Sequence, residues 1–143
     1  MHNIPFKNDP DQFTHNGSLF ATNVFDLLPD DHHSFVYETF FQQIDVSSLV
    51  KKYSVRGQRA YHPRRLISIL IYAYCHGVFG SRKIKQKCCE DLGFMYISHL
   101  HCPDFRTLSD FRKNNYEFFV ECFKQTVLLA REAGLASLGH PKL

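Results

Sequence analysis

The sequence predicts an all-α fold, and three observations lead to this class. Apolar residues recur at helical intervals, no segment has the alternation typical of a strand, and the ten-residue run LISILIYAYC at 66–75 is apolar nearly all round. A hydrophobic fraction of 44% is well above that of a disordered chain. We expect a compact multi-helix domain at 29–134, with an extended or partly ordered acidic arm at 1–28 before it and the start of a linker at 135–143.

Two helices are predicted early in this domain. The first begins at Pro29 and Asp30, where acidic residues favour the helix dipole. Its apolar face is formed by residues spaced by four: Val36, Phe40 and Ile44. A short second helix follows in DVSSLVKKYS, with Ser47 as its cap.

A buried central helix follows the loop VRGQRAYHPRR. Pro63 suits its first turn, and Gly77 and Gly80 are expected to end it. The next helix covers SRKIKQKCCED with Ser81 as its N-cap, and Ile84 and Cys88 face inward. The segment LGFMYISHLHCPD predicts a short aromatic turn or helix that ends at Pro103.

The last helical region begins after Thr107, which is the expected cap, and a break is predicted near Asn114–Asn115. Gly134 is the expected stop. Two sets of side chains are predicted to face the core, one in CPDFRTLSDFRK and one along the final helix: Phe105, Leu108 and Phe111, then Phe119, Phe123, Val127 and Ala130.

Charge is segregated along the chain. Residues 1–50 contain one Lys and seven acids, residues 51–113 contain thirteen Lys or Arg and four acids, and residues 114–143 contain three of each, which gives net charges of −6, +9 and 0. A basic middle segment indicates contact with a polyanion. A solvated basic face without a partner is the alternative.

Five cysteines, an odd number, and an N-terminus without a basic start and apolar run favour a reduced, cytoplasmic setting. The longest apolar run is about half of the ~20 residues that a membrane helix needs. We expect no membrane partner, and a location at the nucleoid when the protein is bound to DNA.

No catalytic site, cofactor site or small-molecule substrate is predicted, since a glycine-rich phosphate loop and paired carboxylates in the basic segment are missing from the sequence. Sulfur and nitrogen ligands do cluster within fifteen residues: Cys88, Cys89, His99, His101 and Cys102. However, they form no Cys-x-x-Cys pair, and adjacent cysteines point to different faces of a helix. We therefore expect no metal site.

Nucleic-acid binding is better supported. The helix at 81–90 followed by the helix at 107–115 resembles a helix-turn-helix with an overlong connection. Basic side chains suit phosphate, and Arg or short hydroxyl side chains on an outward helix face suit base edges. The candidate phosphate contacts are Arg56, Arg59, Arg82, Lys83, Lys85, Lys87 and Lys113, and the candidate base contacts are Arg106, Thr107, Ser109 and Arg112.

An ordered set of motifs strengthens this interpretation. It comprises Tyr53 with Arg56–Gly57, Tyr61–His62–Pro63, Gly77 with Ser81–Arg82–Lys83–Ile84, Glu90–Asp91, Phe94, Tyr96, Asp104 with Arg106–Thr107, Phe111–Arg112, Gly134–Leu135 and Leu138–Gly139–His140. From about Leu28 to His140 the chain resembles the N-terminal domain of bacterial insertion-sequence transposases of the DDE type.

The resemblance implies a helical domain that helps to recognise the terminal inverted repeats of double-stranded transposon DNA and to assemble the transposase on them. In such proteins an RNase H-like domain with three catalytic acids follows, and its first Asp comes a few residues after the Leu-Gly-His segment. No position of this chain corresponds to a catalytic acid. A module that pairs transposase subunits as a homodimer, without touching DNA, is the alternative function.

Overall fold

The computed structural model describes residues 5–10, 24–53 and 60–135. Within them the chain forms a short 3-10 helix, Val24–Leu27, and seven α-helices, and no β-strand occurs in these ranges. The helices are α1 (His33–Gln42), α2 (Ser47–Val50), α3 (Pro63–Cys75), α4 (Ser81–Glu90), α5 (Leu92–Ile97), α6 (Phe105–Asn114) and α7 (Tyr116–Glu132). The predicted all-α fold is confirmed.

Helix α3 is the centre of the fold. Pro63 occupies its first turn, and every residue from Arg65 to Ala73 is buried. Helices α1, α4, α5, α6 and α7 all pack against it. Gly77 adopts a φ of +74°, a conformation that favours glycine, directly after this helix. The predicted buried central helix is therefore confirmed.

The final helical region is broken where the sequence indicated. Helix α6 ends at Asn114 and α7 begins at Tyr116. Gly134 has a φ of +80°, and the N–H of Leu135 donates to the Ala130 carbonyl, which together end α7. Side chains from both helices reach the common core, among them Leu108, Phe111, Phe119 and Ala130.

The predicted inner face of α1 is only partly right: Phe40 and Ile44 pack against the core but are half-buried. Its buried residues are Ser34, Tyr37, Glu38 and Phe41, whereas Val36 is exposed. The buried stripe contains a carboxylate because Glu38 pairs with Arg65 of α3 at 3.1 Å. An apolar pattern alone cannot indicate a stripe that depends on such a partner.

Several predicted helix starts are also wrong. Helix α1 begins at His33 rather than near Pro29, α2 is preceded by Val46 instead of being capped by Ser47, and α4 is preceded by Gly80 instead of Ser81. Helix α6 begins two residues before Thr107, after Asp104. Pro63, in the first turn of α3, and Pro103, two residues before α6, are both buried.

Two described parts of the predicted arm contact the helical domain. The N–H of Lys7 donates to the Ala60 carbonyl, and Phe6 packs edge-on against Tyr53. Phe25 and Leu28 are buried where the 3-10 helix meets α5. The remainder of the arm, the loop at 54–59 and residues 136–143 lie outside the described ranges, as do the candidate phosphate contacts Arg56 and Arg59.

Candidate nucleic-acid interface

Helices α4 and α6 pack on each other and hold most of the candidate contact residues. Ile84 and Cys88 bury the inner side of α4, and Leu108 and Phe111 bury that of α6. The 91–104 connection contains α5, so it is longer than the three or four residues of an ordinary helix-turn-helix turn. Whether the pair docks on DNA as such a motif stays a prediction.

A cleft of about 430 Å³ opens between α4 and the start of α6. The Arg82 guanidinium carbon lies 3.8 Å from the centroid of the Phe105 ring, so the two side chains form a cation–π contact across this cleft. Phe105 is only half-buried and is not part of the core cluster, so its prediction as a core residue is wrong. The lining residues are Arg82, Lys85, Gln86, Cys89, Glu90, Asp104 and Phe105.

The four cationic residues of α4 lie on two different flanks. Arg82 and Lys85 line the cleft with α6. Successive helical residues turn by about 100°, so Lys83 and Lys87 lie on the flank that faces away from this cleft. One duplex lying along the cleft would therefore meet the first pair more directly than the second.

The outward face of α6 carries Arg106 and Lys113, which are both exposed, with half-buried Ser109 between them. Their spacing places all three roughly opposite the buried side of the helix. This arrangement agrees with the predicted outward orientation of these three side chains.

Thr107 lies on another side of α6. It lines a second cleft of about 640 Å³ together with Lys52, Tyr61, Asp110 and Asn114. Lys52 donates to the Asn115 side-chain carbonyl at 2.6 Å. It adds a cation to this second cleft that was not among the predicted contact residues. Asp104 at the start of α6 is exposed and opposes the binding of a phosphate to that helix N-terminus.

Arg112 does not project freely from α6. Its guanidinium donates to the Phe79 carbonyl at 2.7 Å and to the Tyr74 hydroxyl at 3.1 Å. The expectation of an outward Arg112 is therefore wrong, because the loop after α3 offers an unpaired carbonyl within reach of the side chain. Its contact with a base stays a prediction that would require these bonds to break.

A family model described as a transposase domain (DUF772) matches residues 22–114, which is more than half of the chain. The matched range ends at the last residue of α6 and includes both helices of the cleft. The chain belongs to this transposase domain family. Comparisons with curated proteins and with solved structures found no significant match.

The transposase domain also contains a buried polar cluster that the sequence did not reveal. Glu38 accepts hydrogen bonds from Gln42 at 2.7 Å and from Arg65 at 3.2 Å. His99 joins the cluster, with Nε2 2.9 Å from the Glu38 carboxylate and Nδ1 2.7 Å from Asp9. A φ of +55° at His99 directs this ring inward from the turn after α5.

These bonds determine the charge state of Glu38. Burial by itself would raise the pKa of this carboxyl, but the hydrogen bond from His99 and the charge and hydrogen bonds of Arg65 outweigh it and lower the pKa. The cluster therefore holds a buried carboxylate with complementary donors on α1, α3 and the α5–α6 connection. The side chains of Gln42, Arg65 and His99 all bond to Glu38 within the chain, so the cluster has a structural role in the transposase domain.

A second group of titratable side chains lies where α1 crosses the end of α3. His76 Nδ1 donates to the Tyr72 carbonyl at 2.7 Å, so in its neutral form Nε2 is an acceptor. His33 Nε2 lies 2.9 Å from His76 Nε2 and donates to it. The Tyr72 hydroxyl lies 3.0 Å from His33 Nε2. These tautomers are inferred from the partners.

The sulfur and histidine side chains that cluster in the sequence do not converge on one point, although Cys89 and Cys102 meet. Cys88 is buried on α4, while His99 and His101 both contact Asp9. In the described part of the chain, His, Cys, Asp and Glu side chains form no group of three or more with a geometry that could hold a metal ion.

None of the helices in the described residues has the length and apolarity needed to cross a bilayer.

Proposed function

We propose that this transposase domain is a non-catalytic DNA-binding domain of an insertion-sequence transposase of the DDE type. It would recognise the terminal inverted repeats and help to assemble the transposase on the transposon ends. Strand cleavage would be the task of the catalytic domain of such a transposase.

The observation that carries this proposal is the rigid presentation of cations by α4 and α6. Their buried side chains fix both helices in the core, while Arg82, Lys85, Arg106 and Lys113 occupy the cleft and the adjoining outer face. Basic side chains in a fixed pattern neutralise phosphates and set the register of a protein on a duplex. The net charge of +9 over residues 51–113 supports the same partner.

Base selection would come from the outer face of α6. Arg106 and Ser109 are one helical turn apart there and carry the donor and hydroxyl types that reach base edges in a major groove. Phosphate contacts from α4 would then position this face without reading sequence themselves.

Fluorescence anisotropy with the full chain tests the proposal. Binding to a duplex should weaken steeply with salt, with a log–log slope of roughly −0.9 for each neutralised phosphate. The Arg82→Ala plus Lys85→Ala variant should weaken binding to terminal-repeat and random duplexes alike and make the slope less steep by about 1–2. Lys124→Ala, an exposed cation on α7, is the matched control and should leave the slope unchanged.

Sequence reading has its own test. Ser109→Ala should reduce the preference for the terminal repeat over a random duplex while affinity for the random duplex changes little. Absence of binding to either duplex at low salt, or equal effects of the cleft variant and Lys124→Ala, would contradict the proposal.

The alternative function, a module that pairs subunits, is favoured by one observation. Helix α7 leaves three large apolar side chains exposed: Tyr116 at 58%, Leu128 at 57% and Leu129 at 39%. Light scattering that shows a tight dimer, combined with no response to DNA, would support this alternative over DNA binding.

A further inference from the structure

Two exposed cysteines meet at the rim of the cleft between α4 and α6. Cys89 is the penultimate residue of α4, and Cys102 lies in the segment between α5 and α6. The Cys89 thiol donates to the Cys102 sulfur at an Sγ–Sγ distance of 2.7 Å. This separation is within about 1 Å of the length of a disulfide bond.

The other three cysteines have different surroundings. Cys88 and Cys122 are buried in the core, and Cys75 is packed against it. Burial raises the pKa of Cys75 and of Cys88 to about 12 and that of Cys122 to about 11. Cys89 and Cys102 are the exposed thiols, so an oxidant in solution meets this pair in preference to the remaining three.

We propose that Cys89 and Cys102 form a reversible disulfide that fixes the end of α4 to the segment leading into α6. Its formation is independent of the proposed function, because it requires only the two thiols and a small-molecule disulfide such as oxidised glutathione. The pair sits beside Arg82, Lys85 and Phe105, so the bond closes one rim of the same cleft.

The reaction proceeds by two exchanges. The thiolate of Cys89, its proton released to solvent, attacks one sulfur of oxidised glutathione, which forms a mixed disulfide and expels one glutathione thiolate. The thiolate of Cys102 then attacks the Cys89 sulfur and expels the second glutathione. Two protein thiols are oxidised and one glutathione disulfide is reduced to two thiols.

The reaction depends on pH, because thiolates rather than thiols attack disulfides. The pKa of Cys102 is raised to about 11, first by burial and then by the hydrogen bond and charge of Cys89, while Lys85 opposes the shift. In the reduced pair this thiol is therefore protonated at neutral pH, and the disulfide should form faster as the pH rises. Once formed, the bond closes a 13-residue separation around α5.

The test is disulfide mapping on the folded full chain after exposure to oxidised glutathione. Remaining thiols are alkylated after unfolding, and a protease that cleaves after acidic residues separates Cys89 from Cys102 by cutting after Glu90 and Asp91. We expect a linked pair of peptides in which fragmentation identifies Cys88 as alkylated and Cys89 as bonded. Oxidised wild type should also have a Tm roughly 5–15 °C above that of the reduced protein.

Matched variants make the result specific. Cys102→Ser and Cys89→Ser both replace exposed side chains, so they should fold, lose the linked peptides and lose the oxidant-dependent rise in Tm. Cys122→Ala, which removes a buried thiol elsewhere, should retain both. Stable mixed disulfides with glutathione, a Cys88–Cys102 link, bonds between chains, or an unchanged Tm after oxidation would each overturn the proposal.

Discussion

Glu38 is a buried carboxylate whose charge is balanced by donors from three parts of the chain. Because its pKa in the folded state is lower than the usual 4.5, the folded chain binds its proton less readily than the unfolded chain. Its contribution to stability is therefore complete above about pH 4.5 and is lost as the pH falls through the folded-state pKa. This residue contributes to acid unfolding below about pH 4.5.

His33 acts at higher pH. Burial, followed by the nearby charges of His76 and His32, lowers its pKa from 6.5 to about 4, while Asp91 opposes the shift. The unfolded chain binds the proton more readily between these two values, so stability that is complete above pH 6.5 is lost as the pH falls towards 4. His62, His76 and His101 also have lowered pKa values and act in the same direction.

We predict that His33→Gln reduces the slope of stability against pH between 6.5 and 4. The neutral amide removes one titrating group, so the difference in the free energy of unfolding between pH 7 and pH 4 should shrink. The expected change is about 1–2 kcal/mol, less than the full pKa shift corresponds to, because solvent screens a ring that is only half-buried. Urea unfolding at several pH values measures it. Gln43→Ala, exposed just after α1, should keep the wild-type slope; an unchanged slope in His33→Gln would contradict the prediction.

At the scale of elements, the buried side of a helix was predictable where its composition indicates it and not where it depends on a distant partner. Helix α3 is apolar nearly all round, so its burial follows from its own residues. The inner side of α1 contains Ser34 and Glu38, and its burial requires Arg65, which lies 27 residues away in the sequence. Helical periodicity contains no information about such a distant charge.

The start of α1 was missed for a related reason. Nδ1 of His32 accepts the Ser34 N–H at the start of α1, and Nδ1 of His62 accepts the Arg64 N–H at the start of α3. Sequence rules for caps favour Ser, Thr, Asp and Asn, and histidine is outside them. The neutral ring that such a cap requires is favoured at His62 by burial, which lowers its pKa.

The structure gives two adjacent residues of α6 different roles, and this leads to a prediction. Arg112→Ala should lower the free energy of unfolding by about 1–3 kcal/mol, because it leaves the Phe79 carbonyl and the Tyr74 hydroxyl without their charged donor. Lys113→Ala should change it by less than about 0.5 kcal/mol, since Lys113 is exposed. Urea unfolding of both variants is the measurement, and equal destabilisation would show that the Arg112 bonds contribute little.

At the scale of the whole molecule, the charge segregation of the sequence is partly reversed by folding. Glu38 and Asp9 belong to the acidic first fifty residues, yet Glu38 pairs with Arg65 and Asp9 contacts His99 and His101. The acidic segment thus neutralises one side of the basic segment, and the cations of α4 and α6 are left on another. A net charge counted along the sequence could predict a basic surface but not which basic residues would form it.

The contact of Asp9 with the α5–α6 connection joins residues 90 positions apart, and its removal should loosen the N-terminal segment. Asp9→Asn should lower the free energy of unfolding by about 1 kcal/mol, because it removes the charge of a partly exposed carboxylate that contacts His99 and His101. Amide exchange of Lys7, which donates to Ala60, should accelerate.

A titration provides a second measurement for the same variant. Burial lowers the pKa of His101, and the hydrogen bond and charge of Asp9 oppose this shift, so the pKa should fall further in Asp9→Asn. NMR of the ring protons measures this value, and Asp31→Asn, an exposed acid before α1, should leave both the titration and the Lys7 exchange unchanged. A wild-type His101 titration in Asp9→Asn would mean that Asp9 does not hold the segment in solution, because a carboxylate within 3.2 Å of Nε2 must stabilise the protonated ring.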